Sequence, residues 1–104
     1  MVMFFNVESV RLYLINNGYV YTLRKKRKRV GWDIAVYGSR YKQKRIGKIF
    51  ISLVPHDRIT EKVLTGYFSK SGLSSSPREW LKLARKLSGD ELYLYHVMVI
   101  NDKE

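Results

Sequence analysis

Tyr19-Val20-Tyr21-Thr22-Leu23-Arg24 alternates by two and runs into a basic tract, Lys25-Lys26-Arg27-Lys28-Arg29. Tyr19, Tyr21 and Leu23 share one face, and Val20, Thr22 and Arg24 the other, so the stretch predicts a strand. Its aromatic and β-branched residues suit a pleated surface. Ile49-Phe50-Ile51-Ser52-Leu53-Val54 predicts a second strand, stopped by Pro55, which cannot donate to a ladder. Between them the chain crosses Gly31-Trp32, Tyr37-Gly38-Ser39-Arg40 and Tyr41-Lys42-Gln43-Lys44-Arg45 and returns through Gly47-Lys48. This reads as a long basic loop at about 25–46, with Ile34-Ala35-Val36-Tyr37 as a candidate short strand inside it. Residues 24–48 hold 11 of the 20 Lys and Arg residues and one acid, Asp33. Nearly all of the formal charge of +11 therefore sits here, on an otherwise almost neutral scaffold. Concentrated charge of this kind points to a polyanion-binding surface.

Upstream, Val2 to Phe5 reads as a short apolar strand. Asn6 is placed to cap a helix, with Glu8 in its first turn, where the helix dipole favours negative charge. Val7, Val10 and Leu14, with Tyr13, give that helix one apolar face, and Asn16-Asn17-Gly18 ends it. Downstream, Thr60-Glu61-Lys62-Val63-Leu64 begins a helix with Val63, Leu64, Tyr67 and Phe68 on one side, weakened at Gly66 and closed by Ser71-Gly72. Ser74-Ser75-Ser76-Pro77-Arg78-Glu79 is the strongest helix start, with Ser76 as cap, Pro77 first in the helix and Glu79 completing a capping box. Trp80, Leu81, Ala84 and Leu87 form its buried stripe, and Gly89 stops it. Leu92 to Ile100 is the last strand, with Leu92, Leu94, His96, Met98 and Ile100 on one face and Tyr93, Tyr95, Val97 and Val99 on the other. Apolar residues on both faces imply a strand covered on both sides, or a central one in a small barrel. Asn101 to Glu104 reads as a frayed polar tail.

The 104 residues suit a single domain, and the 45% apolar content suits a folded globule. The order strand, helix, strand, basic loop, strand, two helices, strand predicts an α+β fold, a small curled sheet or β-barrel with two or three flanking helices. No apolar run reaches the roughly 20 residues of a transmembrane helix. Met1-Val2-Met3-Phe4-Phe5 lacks the basic start and cleavage site of a signal peptide, so a cytoplasmic location is the expectation. With no cysteine and two scattered histidines, neither a metal site nor thiol chemistry is expected. The Walker, Rossmann and Gly-x-Ser-x-Gly patterns are absent, and no cofactor is expected.

Several features fall in a shared order. A helix ends at Asn17-Gly18 and leads into a strand ending Thr22-Leu23-Arg24. A strand follows from Gly47 to Val54, then Ser71-Gly72-Leu73, then a helix bearing Ser76, Glu79 and Trp80, then a closing strand. In this the chain resembles ASCH domains of the PUA-like superfamily, especially small archaeal stand-alone members. The resemblance implies a small β-barrel with flanking helices, a cleft beside the first helix-to-strand turn, and RNA-linked roles, ribonuclease activity among them. The usual signature is Gly-x-Lys-x-x-Glu-x-Arg. Here Gly18 and Arg24 match at a spacing one residue shorter, Val20 stands for the lysine, and the glutamate is missing. The resemblance therefore carries over Arg24 and no acid–base pair, and the catalytic residues stay unknown.

The main expectation is a nucleic-acid-binding module, with RNA favoured over DNA on the resemblance alone. Arg24, Lys25, Lys26, Arg27, Lys28, Arg29, Arg40, Lys42, Lys44, Arg45 and Lys48 are the candidate phosphate grip. A solvated, mobile loop is the plain alternative. Trp32, Tyr37 and Tyr41 lie among these charges, and each either stacks a base or folds back to anchor the loop. Tyr41, between Arg40 and Lys42, is the better stacking candidate. Arg24 either forks onto a phosphate or pairs with Glu8 or Asp33. His96 reads as a core or barrel-lining residue, and His56 beside Asp57 as surface. The remaining alternatives are a metal-independent ribonuclease using Arg24 with Tyr21 or a histidine, and an accessory protein of a nucleoprotein assembly, which would bring in a protein partner.

Overall fold

The computed structural model describes residues 2–25, 30–55, 59–73, 76–89 and 91–100. The chain runs β1 (Val2–Phe4), α1 (Glu8–Asn17), β2 (Tyr19–Arg24), β3 (Gly31–Ser39), β4 (Lys42–Val54), α2 (Glu61–Thr65), a 3-10 turn (Phe68–Lys70), α3 (Pro77–Ser88) and β5 (Tyr93–Ile100). Among the described residues the strands form one mixed sheet in the order β1-β3-β4-β5-β2. β1 pairs with β3 in parallel, and the other ladders are antiparallel. The fold is α+β with flanking helices, and its sheet is open rather than closed into a barrel.

The sheet is nonetheless curled. Met3, Val20, Ala35, Ile49, Ile51, Tyr95 and Val97, drawn from all five strands, meet in one core with Phe5 and Leu14. Val10 and Tyr13 join Leu14 in laying α1 over this inner face. Across the gap between the two edge strands, Arg24 Nη2 donates to the Phe4 carbonyl at 2.7 Å. Its Nε donates to Thr22 Oγ1 at 3.2 Å, and its guanidinium lies 5.0 Å from the centre of the Phe5 ring. On the outer face Leu23 and Leu94 are covered by Leu64 of α2 and by Trp80, Leu81 and Ala84 of α3. Burying each large side chain of these clusters stabilises the fold by about 1.5–3 kcal/mol. β5 is thus covered on both sides at its start.

The largest departure from the sequence reading is the basic loop. Residues 31–39 and 42–54 are paired strands, and Arg40 and Tyr41 alone form the turn between them. The ladder runs unbroken from Ser39↔Lys42 to Ala35↔Gly47 except for one register shift, which leaves Ile46 unpaired as a bulge packed against the core. Lys42, Gln43, Lys44 and Arg45 are all exposed, so no burial alternation marks them as strand. Backbone pairing carries this segment, and periodicity does not register it.

Two local expectations also change. Asn6 does not cap α1. Val7 holds that position without a side-chain cap. The Asn6 amide instead pairs with Gly38, donating through Nδ2 to its carbonyl (3.1 Å) and accepting its N–H at Oδ1 (2.7 Å). The side chain thereby extends the β1–β3 ladder by one more pair of bonds. The helix from Glu61 ends at Thr65, because Gly66 weakens the next turn and the chain tightens into the 3-10 turn. Thr60 caps α2 and Ser76 caps α3, each accepting from a backbone N–H in the first turn, with Pro77 at the start of α3. Ser74, Ser75 and the tail 101–104 lie outside the described residues. Among the described residues, no helix is long and apolar enough to cross a membrane.

Ser71-Gly72-Leu73 locks the helical layer to α1. Buried Ser71 donates from Oγ to the Phe68 carbonyl (2.7 Å) and accepts from Leu73 N–H (3.2 Å). Gly72 has φ +82°, and a Cβ there would lie 2.7 Å from Val10 Cα and 2.8 Å from the Ser9 carbonyl. Gly72→Ala should therefore destabilise the fold by roughly 2–4 kcal/mol, from left-handed strain plus overpacking, as read by urea unfolding. Arg24→Ala removes the donor to Phe4 and should cost about 1.5–3 kcal/mol by the same assay, with Arg24→Lys recovering only part because one ammonium cannot match the fork.

Candidate nucleic-acid interface

The β3–β4 hairpin presents the basic residues in an ordered frame. Its two-residue turn is fixed by Ser39 Oγ, which accepts from Lys42 N–H (3.0 Å), and by the Gln43 amide, which donates to the Arg40 carbonyl (3.3 Å). Gly38, at φ +105°, comes so close to the Lys42 carbonyl that a Cβ would collide with it. With the Asn6 clamp on its other side, the end of the hairpin is held from both flanks. At this end Arg40, Lys42, Lys44 and Arg45 are exposed, and Tyr41 is 91% exposed. Residues 34–56 contain no Asp or Glu, so nothing on the hairpin arms beyond Asp33 offsets their charge.

The aromatics expected to stack or to anchor separate cleanly. Tyr37 anchors. The Arg11 guanidinium of α1 covers its ring at 4.3 Å, and Lys44 Nζ lies 5.8 Å from it. Tyr41 projects from the turn. Trp32 stands in β3, 62% exposed, edge-on to Phe50 at 5.1 Å and with Lys48 Nζ 4.9 Å from its ring. Lys25 is exposed just past β2, while Lys26, Arg27, Lys28 and Arg29 lie outside the described residues, as do His56 and Asp57.

Arg24 lines a cleft of about 260 Å³ together with Phe5, Val10, Thr22, Trp80 and Leu87. Its walls come from the segment that joins β1 to α1, from the end of β2 and from α3, with Val10 as the residue of α1, and the Gly18 turn is not among them. Arg24 does not pair with Glu8, whose carboxylate lies 3.9 Å from Arg11. Its bonds to Phe4 and Thr22 make it a tie between sheet edges. Tyr21, the candidate catalytic partner, points to the opposite face of β2 and tilts against His96 at 5.0 Å. The two side chains are not brought together.

His96 is not a barrel-lining residue. It is half-buried on the outer face in a run of rings, stacked on Tyr19 at 5.9 Å, with Tyr21 leading on to Tyr67 at 4.8 Å. Tyr13 joins the run edge-on to Tyr19, and their hydroxyls meet at 3.5 Å. That hydrogen bond, then burial and repulsion from Tyr19, raise the Tyr13 pKa above the usual phenol value. Beside this run, Trp32 stands opposite Phe50, Phe50 opposite Met98, and Met98 opposite Tyr19. The sequence reading missed this row, because treating Trp32 as a loop residue hides its register with Phe50.

The chain is thus a small α+β protein with a curled open sheet, a basic hairpin and an aromatic outer face. No protein-family model, no curated protein and no solved structure matches it. The ASCH resemblance rests on the residues that suggested it.

Burial lowers the His96 pKa below its ordinary 6.5. The unfolded chain then takes up the proton at higher pH than the folded one, so this contribution to stability is complete above about pH 6.5 and is lost as pH falls through the folded value. Urea midpoints should drop from pH 7 toward pH 5.5, above the range where carboxylates titrate. His96→Phe should flatten that limb.

Proposed function

We propose that the protein is a nucleic-acid-binding module that grips the phosphate backbone on its β3–β4 hairpin. The observation that carries this reading is the exposed cluster Arg40, Tyr41, Lys42, Lys44 and Arg45 on a turn braced by Ser39 and Asn6, with no acid on either strand past Asp33. A braced turn loses little conformational entropy on binding, so more of the contact energy is retained as affinity. Each phosphate neutralised releases counterions, which gives binding a steep salt dependence. Tyr41 offers a ring to an unpaired base. RNA is favoured over DNA on the ASCH resemblance, since phosphate contacts do not distinguish the two.

Fluorescence anisotropy with labelled single-stranded RNA, hairpin RNA and duplex DNA across a salt series tests the reading. Combined Arg40→Ala, Lys42→Ala and Lys44→Ala substitutions should weaken binding and flatten the log–log salt slope by about 2 for a single strand, near 0.7 for each lost contact. Unchanged affinity and slope in that variant would sink the hairpin as the grip and direct the search to protein partners.

A further inference from the structure

We propose that the outer face of the sheet is a base-stacking platform for single-stranded nucleic acid, built on the row Trp32, Phe50, Met98 and Tyr19. This rests on the nucleic-acid reading above and adds to it a second surface and a substrate form. The row crosses four strands by register, from β3 through β4 and β5 to β2. Neighbouring strands lie about 4.8 Å apart, so the row spans roughly 14 Å. Sheet faces of this kind stack two or three splayed bases.

The helical layer stops short of this row. α2 and α3 cover Leu23 and Leu94, and Tyr67 reaches Tyr21, yet Trp32 and Met98, both in paired strands, remain 62% and 41% exposed. A contiguous exposed apolar patch marks an interaction surface. The charge around it selects the occupant. Lys48 Nζ lies 4.9 Å from the Trp32 ring, and the bulge at Ile46 sets Arg45 opposite Val36, which by alternation shares the face of Trp32 and Ile34. Flat rings flanked by cations match bases strung on phosphates, and stacking on a ring is sequence-tolerant because every base has a π-face. One row along, Ser52 stands opposite His96, which places polar groups where base edges would lie. A duplex does not fit this role, since its bases are already stacked on each other. The occupant is therefore an unpaired strand.

The test titrates the intact protein with short single-stranded RNA, single-stranded DNA and a duplex of equal length, following tryptophan emission and anisotropy together. Trp80 is buried at 4% exposure, so a change in emission reports Trp32. Single strands should quench it, and Trp32→Phe should abolish the quench. Trp32→Ala and Phe50→Ala should each weaken single-strand binding by about 5- to 100-fold, with the salt slope and duplex binding unchanged. Phe50→Leu keeps apolar bulk without a ring and should show the same loss in a fully folded protein. Single-strand binding with no change in Trp32 emission and no effect of Phe50→Leu would overturn the platform and leave the hairpin reading intact. Failure of every nucleic acid to bind would overturn both. Self-association of the free protein that Trp32→Ala abolishes would give the face to a second copy and also overturn the proposal.

Discussion

The Arg24 side chain holds together what the backbone leaves apart. Among the described residues the outer strands β1 and β2 share no ladder, and β1 contributes three residues, Val2–Phe4. An inner core fed by all five strands still requires those edges to approach. Arg24 spans the opening with a charge-assisted bond to Phe4 and rests its guanidinium near the Phe5 ring. Asn6 performs the matching task on the other side of the same segment, joining it to Gly38 of the hairpin. β1 is therefore fixed by two polar side chains as much as by its own ladder. Through it the start of the basic tract after β2 is mechanically tied to the β3–β4 hairpin.

That arrangement explains which parts of the fold were legible in the sequence. β2, β5, α1 and α3 were readable because each carries a local signal: alternation in Tyr19–Arg24, two apolar faces in β5, Val10 and Leu14 one turn apart with Gly18 closing α1, and Ser76-Pro77 opening α3. The α+β class follows from their order. Of β3 only Ile34 to Tyr37 was readable as a short strand; its ends and the first half of β4 were not, since exposed Lys42 to Arg45 carry no periodicity and their pairing depends on partners across the turn. Asn6 looked like a cap because caps are the usual use of Asn before a helix. Its actual partner lies 32 residues away, and no local rule reaches that far. Arg24 is a similar case. Its charge was visible, but its partner is a carbonyl on the opposite edge of the sheet.

The candidate interface divides in the same way. Charge concentration alone singled out Arg40 to Arg45, and these residues are exposed together at the turn. The outer row was invisible because Trp32, Phe50, Met98 and Tyr19 come from four separate segments and become neighbours only through register. Surfaces made by runs are legible in a sequence, and surfaces made by rows are not.

Runs and rows also differ in the physics they offer a polyanion. Cations at the hairpin act at long range and weaken as salt screens them. Rings on the sheet act only on contact and are little affected by salt. A protein with the first alone would hold any nucleic acid loosely and release it as ionic strength rises. Adding the second would favour unpaired bases over a duplex and would retain contact where screening is strong. Leaving Trp32 and Met98 uncovered forgoes the stabilisation that a longer helical layer would supply, about 1.5–3 kcal/mol for each large side chain buried. The bracing of the small β1 segment by Arg24 and Asn6 is one place where the fold recovers stability, so an exposed outer face is compatible with a sheet that remains curled around a single inner core.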